Sequence, residues 1–280
     1  MASIPESNPQ WGASYRLIAS EKWKTKSAAM GRDATEALVE YARPKPGMKV
    51  LDLASGTGEP AISLAKRVGP SGHVTALDQS PELLAIAAER ARDRGLTNFT
   101  TQQADAHHLP FPDESFDLVT CRFGVMFFQD CVQAMREVRR VLKPRARACF
   151  LAWGSFDQPY WSSTMGVVLK HVGGPALAPG GPDPFRFAEP SSLSGVLRQA
   201  GFSDVAEETR TIPWTWPGTR EEVWEYIRSV SAPFLALLQR VPAEKWDGIS
   251  REAYEAIQKY EGGGSIKFGA VVVFAAAAKG

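Results

Sequence analysis

Cysteine is scarce in this chain, and no one sign of charge dominates it. Three cysteines in 280 residues, Cys121, Cys131 and Cys149, are too few and too dispersed for a disulfide framework or a close-spaced metal knuckle. They read as buried free thiols of a reducing compartment. Lys and Arg number 32 against 31 Asp and Glu, a net charge of +1 without any long basic run. That balance argues against a dedicated nucleic-acid face, although a balanced total leaves room for a locally basic one. Long hydrophobic runs are missing too: the longest, Ala270 to Ala278, is too short to span a bilayer. The opening M-A-S-I-P-E-S-N-P-Q-W has neither the basic n-region nor the apolar h-region of a signal peptide. There is no internal repeat and no low-complexity tract. The expectation is a soluble cytoplasmic protein with no stable membrane insertion, no nucleic-acid partner and no metal. Its oligomeric state is not readable.

What is present is an ordinary globular composition, 44% hydrophobic and 22% charged, long enough for one enlarged domain or a domain plus a cap. Ala34, Ala37, Leu38 and Tyr41 recur at helical spacing within a helical first region, roughly 10–42. After Pro44-Lys45-Pro46-Gly47, apolar strands alternate with helices. The strands are expected at Lys49–Leu53, His73–Asp78, Phe99–Asp105, Phe116–Arg122 and Arg147–Trp153. Helices are expected around 59–68, at Pro81–Arg94 behind an N-cap Ser80, and at Val132–Leu142. Such alternation predicts a parallel sheet with helices on both faces. Beyond Trp153 the rhythm changes: a turn-rich run within 155–190, a helix Ser191–Ala200, and a strand Val205–Trp214. A helical stretch 219–260 opens on the capping box Thr219-Arg220-Glu221-Glu222 and is divided at Pro233 and Pro242. Val271–Ala275 is a last strand.

The turn after the first strand, Gly56-Thr57-Gly58-Glu59-Pro60-Ala61, fits the dinucleotide fingerprint G-x-G-x-x-G/A. Three carboxylates near strand ends bear on its ligand. Asp78, at the end of the second strand, suits ribose hydroxyls of either NAD or S-adenosylmethionine. Asp52, four residues before Gly56, would repel a pyrophosphate but suits the ammonium and sulfonium of S-adenosylmethionine. Asp105 with Ala106 offers a side-chain acceptor and a backbone donor to adenine. Each has a bland alternative, as a turn or capping residue.

Together, D-L-A-S-G-T-G, T-A-L-D-Q-S-P-E-L-L, Q-A-D-A-H-H-L-P-F-P-D-E-S-F-D-L-V and R-E-V-R-R-V-L-K-P, in this order over 48–154, resemble the class I S-adenosylmethionine-dependent methyltransferases. The similarity is to the branch holding the ubiquinone and menaquinone C-methyltransferases and many small-molecule methyltransferases. The resemblance implies a Rossmann-like α/β fold, a mostly parallel seven-stranded sheet in which Val271–Ala275 is an antiparallel last strand paired with Val205–Trp214. It implies cofactor contacts from Asp52, Ala54, Gly56, Thr57 and Gly58 around the methionine-side loop, Asp78 with Gln79 at the ribose, Asp105 with Ala106 at adenine, and Arg122 near the methionine moiety. Ala54 stands where the family has its first glycine, and Arg145-Ala146 where it has a Gly-Gly turn.

The expected organisation is an N-terminal helical lid (1–45, carrying Trp11, Tyr15 and Trp23), a cofactor-binding core (46–154) and an insertion near the acceptor (155–190). A helical cap (219–264) follows, and 191–218 with 265–280 completes the sheet. The quinone enzymes join their last two strands tightly, whereas Thr215 to Ala270 intervenes here. Trp153, Phe156, Tyr160 and Trp161 lie where an acceptor would enter, and Trp224 sits on the apolar stripe of the cap. These rings fit an aromatic mouth, and they equally fit a core. Of the histidines, His107 and His108 follow the adenine segment, His73 starts a strand, and His171 is the single weak candidate for a general base. The reading is methyl transfer from S-adenosylmethionine to a small hydrophobic or aromatic acceptor. The alternatives are a quinone-type C-methyltransferase, an RNA or protein methyltransferase, an NAD-dependent oxidoreductase and a non-catalytic S-adenosylmethionine-binding protein.

Overall fold

The computed structural model describes residues 22–280. Trp11 and Tyr15 lie outside the described residues. The strands are β1 (Lys49–Leu53), β2 (His73–Asp78), β3 (Phe99–Gln103), β4 (Phe116–Arg122), β5 (Leu142–Trp153), β6 (Ser203–Trp216), β7 (Glu261–Gly262) and β8 (Ser265–Ala278). The helices used below are α1 (Lys24–Met30), α2 (Arg32–Ala42), α3 (Ala61–Val68), α4 (Pro81–Asp93), α5 (Cys131–Val141), α6 (Pro159–Ser162), α7 (Met165–Val172), α8 (Ser192–Gln199), α9 (Arg220–Val230), α10 (Leu235–Gln239) and α11 (Trp246–Gln258).

The sheet order is β3-β2-β1-β4-β5-β8-β6. β1 to β5 run parallel, and β8 is inserted antiparallel between β5 and β6. β1 and β4 are apolar runs almost wholly buried, as strands covered on both faces must be. The expected fold class and the last-strand pairing are therefore present. β7 is an addition, a two-residue strand on β8. The chain order reverses between β1 and β4, so the crevice above their carboxyl ends is the switch point where α/β sheets bind ligands.

Strand boundaries differ from expectation in two places that matter. β3 stops at Gln103, so Asp105 stands in the loop beyond the strand rather than at its end. β5 begins at Leu142, directly after α5. Leu142 pairs with Phe116 before a register shift, and Arg145 then takes φ +62°, the left-handed conformation that favours the family's glycine.

β6 and β8 outrun the sheet. β5 ends at Trp153 opposite Val272, but β6 and β8 continue pairing for six more residue pairs, Thr211↔Val271 through Trp216↔Ile266. At the usual rise of a strand this is a ribbon of about 20 Å. It projects past the carboxyl end of β5, toward the ligand side, and carries 217–264 at its tip. Pro233 and Pro242 divide the helices there as expected, and the Thr219–Glu222 capping box is formed. The helix α1 docks on the same tip. Trp23 is buried against Trp216 and Tyr226, with ring centroids 5.8 and 5.6 Å away. Lys26 pairs with Glu222 at 2.5 Å, and Lys22 pairs with Glu225. No helix among the described residues is long and apolar enough to cross a membrane.

Candidate active site

The turn after β1 is held by its own neighbours. Ala54 takes φ +50° and Gly56 φ +53°. Ser55 N–H donates to the carbonyl of Leu77 at 3.0 Å, and Gly58 N–H to that of Ser55 at 2.9 Å. The two glycines have different duties. A Cβ on Gly58 would stand 2.7 Å from Ile62 Cδ1 and 3.2 Å from Ala87 Cβ, so Gly58 lets the turn and α4 approach each other. A Cβ on Gly56 would meet nothing within 4 Å, so Gly56 supplies backbone conformation on an open face. Thr57 is pinned from outside the motif, where Arg90 of α4 donates to its carbonyl at 3.1 Å and its hydroxyl at 2.6 Å. Periodicity shows Arg90 as one more charge on an amphipathic helix and does not reveal this role.

Asp52 is fully buried beneath the turn. Thr120 of β4 donates to one carboxyl oxygen at 2.6 Å and Ser55 to the other at 2.8 Å. Burial pushes its pKa up to about 7, against the opposing pull of those hydroxyls and of Arg122. Because the folded pKa lies above the unfolded one, the native state holds a proton that the unfolded chain has released between about pH 4 and 7. Stability therefore falls across that window and is flat above it. Asp52→Asn removes the titration. Urea unfolding should show the stability of the variant relative to wild type rising from pH 5 to pH 7.5; a pH-independent difference would sink the assignment.

Asp78 closes β2. Its carboxylate accepts Gly56 N–H at 2.9 Å through one oxygen and Ser80 N–H at 2.9 Å through the other. Burial raises its pKa while those amides oppose the shift. Each oxygen keeps a further lone pair, so a diol can be accepted without dismantling the turn. Asp105 accepts the backbone N–H of His107 at 2.9 Å and its ring Nδ1–H at 2.5 Å. Burial pushes its carboxyl up, but these bonds and one from Gln79 outweigh it and hold the pKa below the usual value. The other ring nitrogen of His107 accepts Asp130 N–H at 3.2 Å, which selects the Nδ1–H tautomer and fixes His107 as an orienting group for Asp105. Ala106 is buried beside it. Gln79 gathers this edge further by accepting from Gln103 through its carbonyl at 3.1 Å.

Arg122, the last residue of β4, reaches across to α2: its guanidinium donates to Thr35 Oγ1 and, at 3.2 Å, to the carbonyl of Gly31. The end of β4 and the first helices are thus tied together. Sequence reasoning missed Gly124. A Cβ there would lie 2.3 Å from Ala54 Cβ and 2.9 Å from Cys121 Sγ, so the methyl that Ala54 carries in place of the family's glycine occupies space that Gly124 vacates.

The aromatic residues divide. Trp153, at the carboxyl end of β5, lies flat on Phe123 (4.7 Å, 17°) and meets Tyr160, Trp161 and Trp214 at 6.1, 5.3 and 5.0 Å. The cap contributes Phe234, 5.2 Å from Trp161, and Phe156 packs 6.0 Å from Phe234. Trp224 is not among these rings. It is buried between α9 and α11, its indole N–H donating to Ser250 at 3.0 Å, which is a packing role. His171 likewise departs from expectation: its Nε2 is paired with Glu252 of α11 at 2.7 Å, so it bridges two helices. Its one weak claim to be a general base finds no support in that geometry. No cluster of three or more His, Cys, Asp or Glu side chains among the described residues has the arrangement to hold a metal.

Comparison with known proteins agrees with this geometry. Residues 44–154 match a family model described as a methyltransferase domain. The chain is 36% identical over 134 residues to a demethylmenaquinone methyltransferase of Listeria welshimeri, covering 48% of this chain and 57% of that protein. It thus spans little more than half the length of the Listeria relatives it matches. It is 34% identical over 176 residues to a ubiquinone/menaquinone biosynthesis C-methyltransferase of Bdellovibrio bacteriovorus, covering 61% of this chain and 73% of that protein. Among solved structures, the YcgJ protein of Bacillus subtilis shares the fold, with a TM-score of 0.55 at 21% identity, over 88% of this chain and 97% of that one. So does Haemonchus contortus phosphoethanolamine N-methyltransferase 2 in complex with phosphomonomethylethanolamine and S-adenosylhomocysteine, with a TM-score of 0.57 at 19% identity, over 98% of this chain and 59% of that one. With its turn, strand order and relatives all in agreement, this chain belongs to the class I S-adenosylmethionine-dependent methyltransferases.

Proposed function

We propose that the protein moves the methyl group of S-adenosylmethionine to a small, hydrophobic, aromatic acceptor. One observation carries the reading: at the switch point a glycine turn backed by buried Asp52 stands on one side, and the aromatic group around Trp153 stands on the other. Asp78 holds the ribose hydroxyls. Asp105 and the backbone of Ala106 hold adenine, with Gln79 steadying Asp105. Asp52 lies under Ala54, Gly56, Thr57 and Gly58 as a carboxyl that a bound cation would hold ionised, so it favours an ammonium and disfavours a pyrophosphate, which argues against the NAD alternative. Arg122 positions the first helices against this loop. When bound, the cofactor supplies an electrophilic methyl whose departure leaves a neutral thioether, so the chemistry requires no metal. The chain's own work is alignment and the exclusion of water, and Trp153, Tyr160, Trp161 and Phe234 serve both. No side chain is assigned as a general base.

The quinone-type reading is supported by the names of the relatives, and a quinol ring is the first acceptor class to try. The long insert between β6 and β8, where the quinone enzymes join these strands tightly, argues for an acceptor other than a quinone. Three buried thiols suit a reducing cytoplasm. Calorimetry is expected to show binding of S-adenosylmethionine and S-adenosylhomocysteine, with Asp52→Asn weakening both, and labelled methyl should pass to a quinol or naphthol panel. Absence of binding at saturating ligand ends the reading. Tight binding with no transfer across the panel would favour a non-catalytic binding protein.

A further inference from the structure

Both strands that flank the switch point end in a left-handed residue that is not glycine: Ala54 after β1 and Phe123 after β4, at φ +59°. A bulky aromatic residue in that region is a true outlier, and such outliers persist where the surroundings over-determine them, often at functional sites. The surroundings of Phe123 are specific. Its amide donates to the carbonyl of Leu151 at 2.8 Å, which ties the strained turn to β5. Its two chain neighbours both bear on the cofactor turn, one through charge and one through contact. Arg122 acts electrostatically on Asp52, and Gly124 lies against Ala54 at the separations given above. Its ring points the other way, flat on Trp153 and edge-on to Trp214 at 6.1 Å. Trp153 is almost wholly buried under its neighbours, whereas Phe123 is only partly buried. The strained backbone therefore places the outer ring of the aromatic stack between the turn and the acceptor side.

We propose that Phe123 is an acceptor-positioning residue, the wall on which a flat aromatic ring lies while it faces the cofactor turn. The proposal rests on the methyltransferase reading and extends it to ring shape: the stack Phe123–Trp153 offers a planar face, to which an aromatic ring adds by offset stacking and a puckered saturated ring does not.

The test uses the full chain saturated with S-adenosylhomocysteine and two probes of equal skeleton, 2-naphthol and decahydro-2-naphthol, with binding read by calorimetry. Wild type is expected to prefer the flat probe by about tenfold, the size of one good ring–ring contact. Phe123→Gly, which deletes the ring and also relieves the left-handed backbone, should bring the preference to within about twofold and leave the affinity for S-adenosylhomocysteine within about threefold. Phe123→Tyr should keep the preference. Phe123→Ala retains the backbone strain and should melt below Phe123→Gly, which separates lost packing from lost recognition. If S-adenosylhomocysteine binds wild type but neither probe is preferred, or if Phe123→Gly keeps the preference, the role of Phe123 is overturned and the cofactor reading survives. If S-adenosylhomocysteine fails to bind wild type, both fall.

Discussion

Asp78→Ala is expected to lower the affinity for S-adenosylhomocysteine by about 10²–10⁴-fold. A carboxylate accepting two ribose hydroxyls makes two charge-assisted hydrogen bonds, each of about 1.5–3 kcal/mol, and the sum converts to that range. There is a second loss. Gly56 N–H donates to the same carboxylate, so the substitution also releases the open face of the turn. Asp78→Asn keeps one acceptor oxygen and should fall between the variant and wild type. Because the burial that raises the Asp78 pKa works against its ionised form in the empty protein, the alanine variant should lose far more in binding than in folding stability. Calorimetry beside urea unfolding separates the two. Binding within threefold of wild type would remove Asp78 from the site.

Gly124→Ala should cost about 2–3 kcal/mol of stability and about 5–10 °C in Tm. Its Cβ would stand 2.3 Å from that of Ala54, well inside contact distance, and 2.9 Å from Cys121 Sγ. Relief by movement is poor, since both neighbours sit at the ends of strands buried within the sheet. The double variant Ala54→Gly, Gly124→Ala moves the methyl from one strand end to the other. It clears the closer clash and leaves the one with Cys121, so it should recover roughly half of the lost stability. Ala54→Gly alone relieves a left-handed alanine and should be neutral or gain about 1 kcal/mol. Thermal unfolding of the four proteins forms a double-mutant cycle, and strict additivity would refute the shared-space account.

Much of the core could be read in advance because its signals are local. β1, β2 and β4 match the expected ranges residue for residue, since each is an apolar run bounded by turn residues, and Ser80 caps α4 as its type and place before Pro81 indicate. The carboxylates around the turn are legible for the same reason: Asp52 lies within β1, Asp78 closes β2, and Asp105 follows β3 by two residues. What escaped was pairing at long range. Thr120 and Ser55 saturate Asp52, Arg90 clasps Thr57, and Gly124 yields to Ala54. None of these leaves a periodic trace, because each partner looks ordinary within its own segment. The early start of β5 was hidden by the absence of any turn between α5 and the strand. His171 and Trp224 show the converse: a chemically suggestive residue type at a suggestive place, each absorbed by one hydrogen bond between helices.

The position of β8 also governs the order in which the molecule is assembled. It is laid between β5 and β6, strands that precede it by a whole helical insert, so its partners cannot be completed while the chain before residue 265 is being made. Until then β6 lacks its ladder neighbour and the inner face that Trp214 and Trp216 will occupy stays open to solvent. Pairing over such separations is slow, and an unfinished sheet edge with exposed rings invites association. Refolding should therefore run in two stages: early formation of β1 to β4 with their helices, and later closure by β8. Conditions that lengthen the interval between them should favour aggregation over native yield.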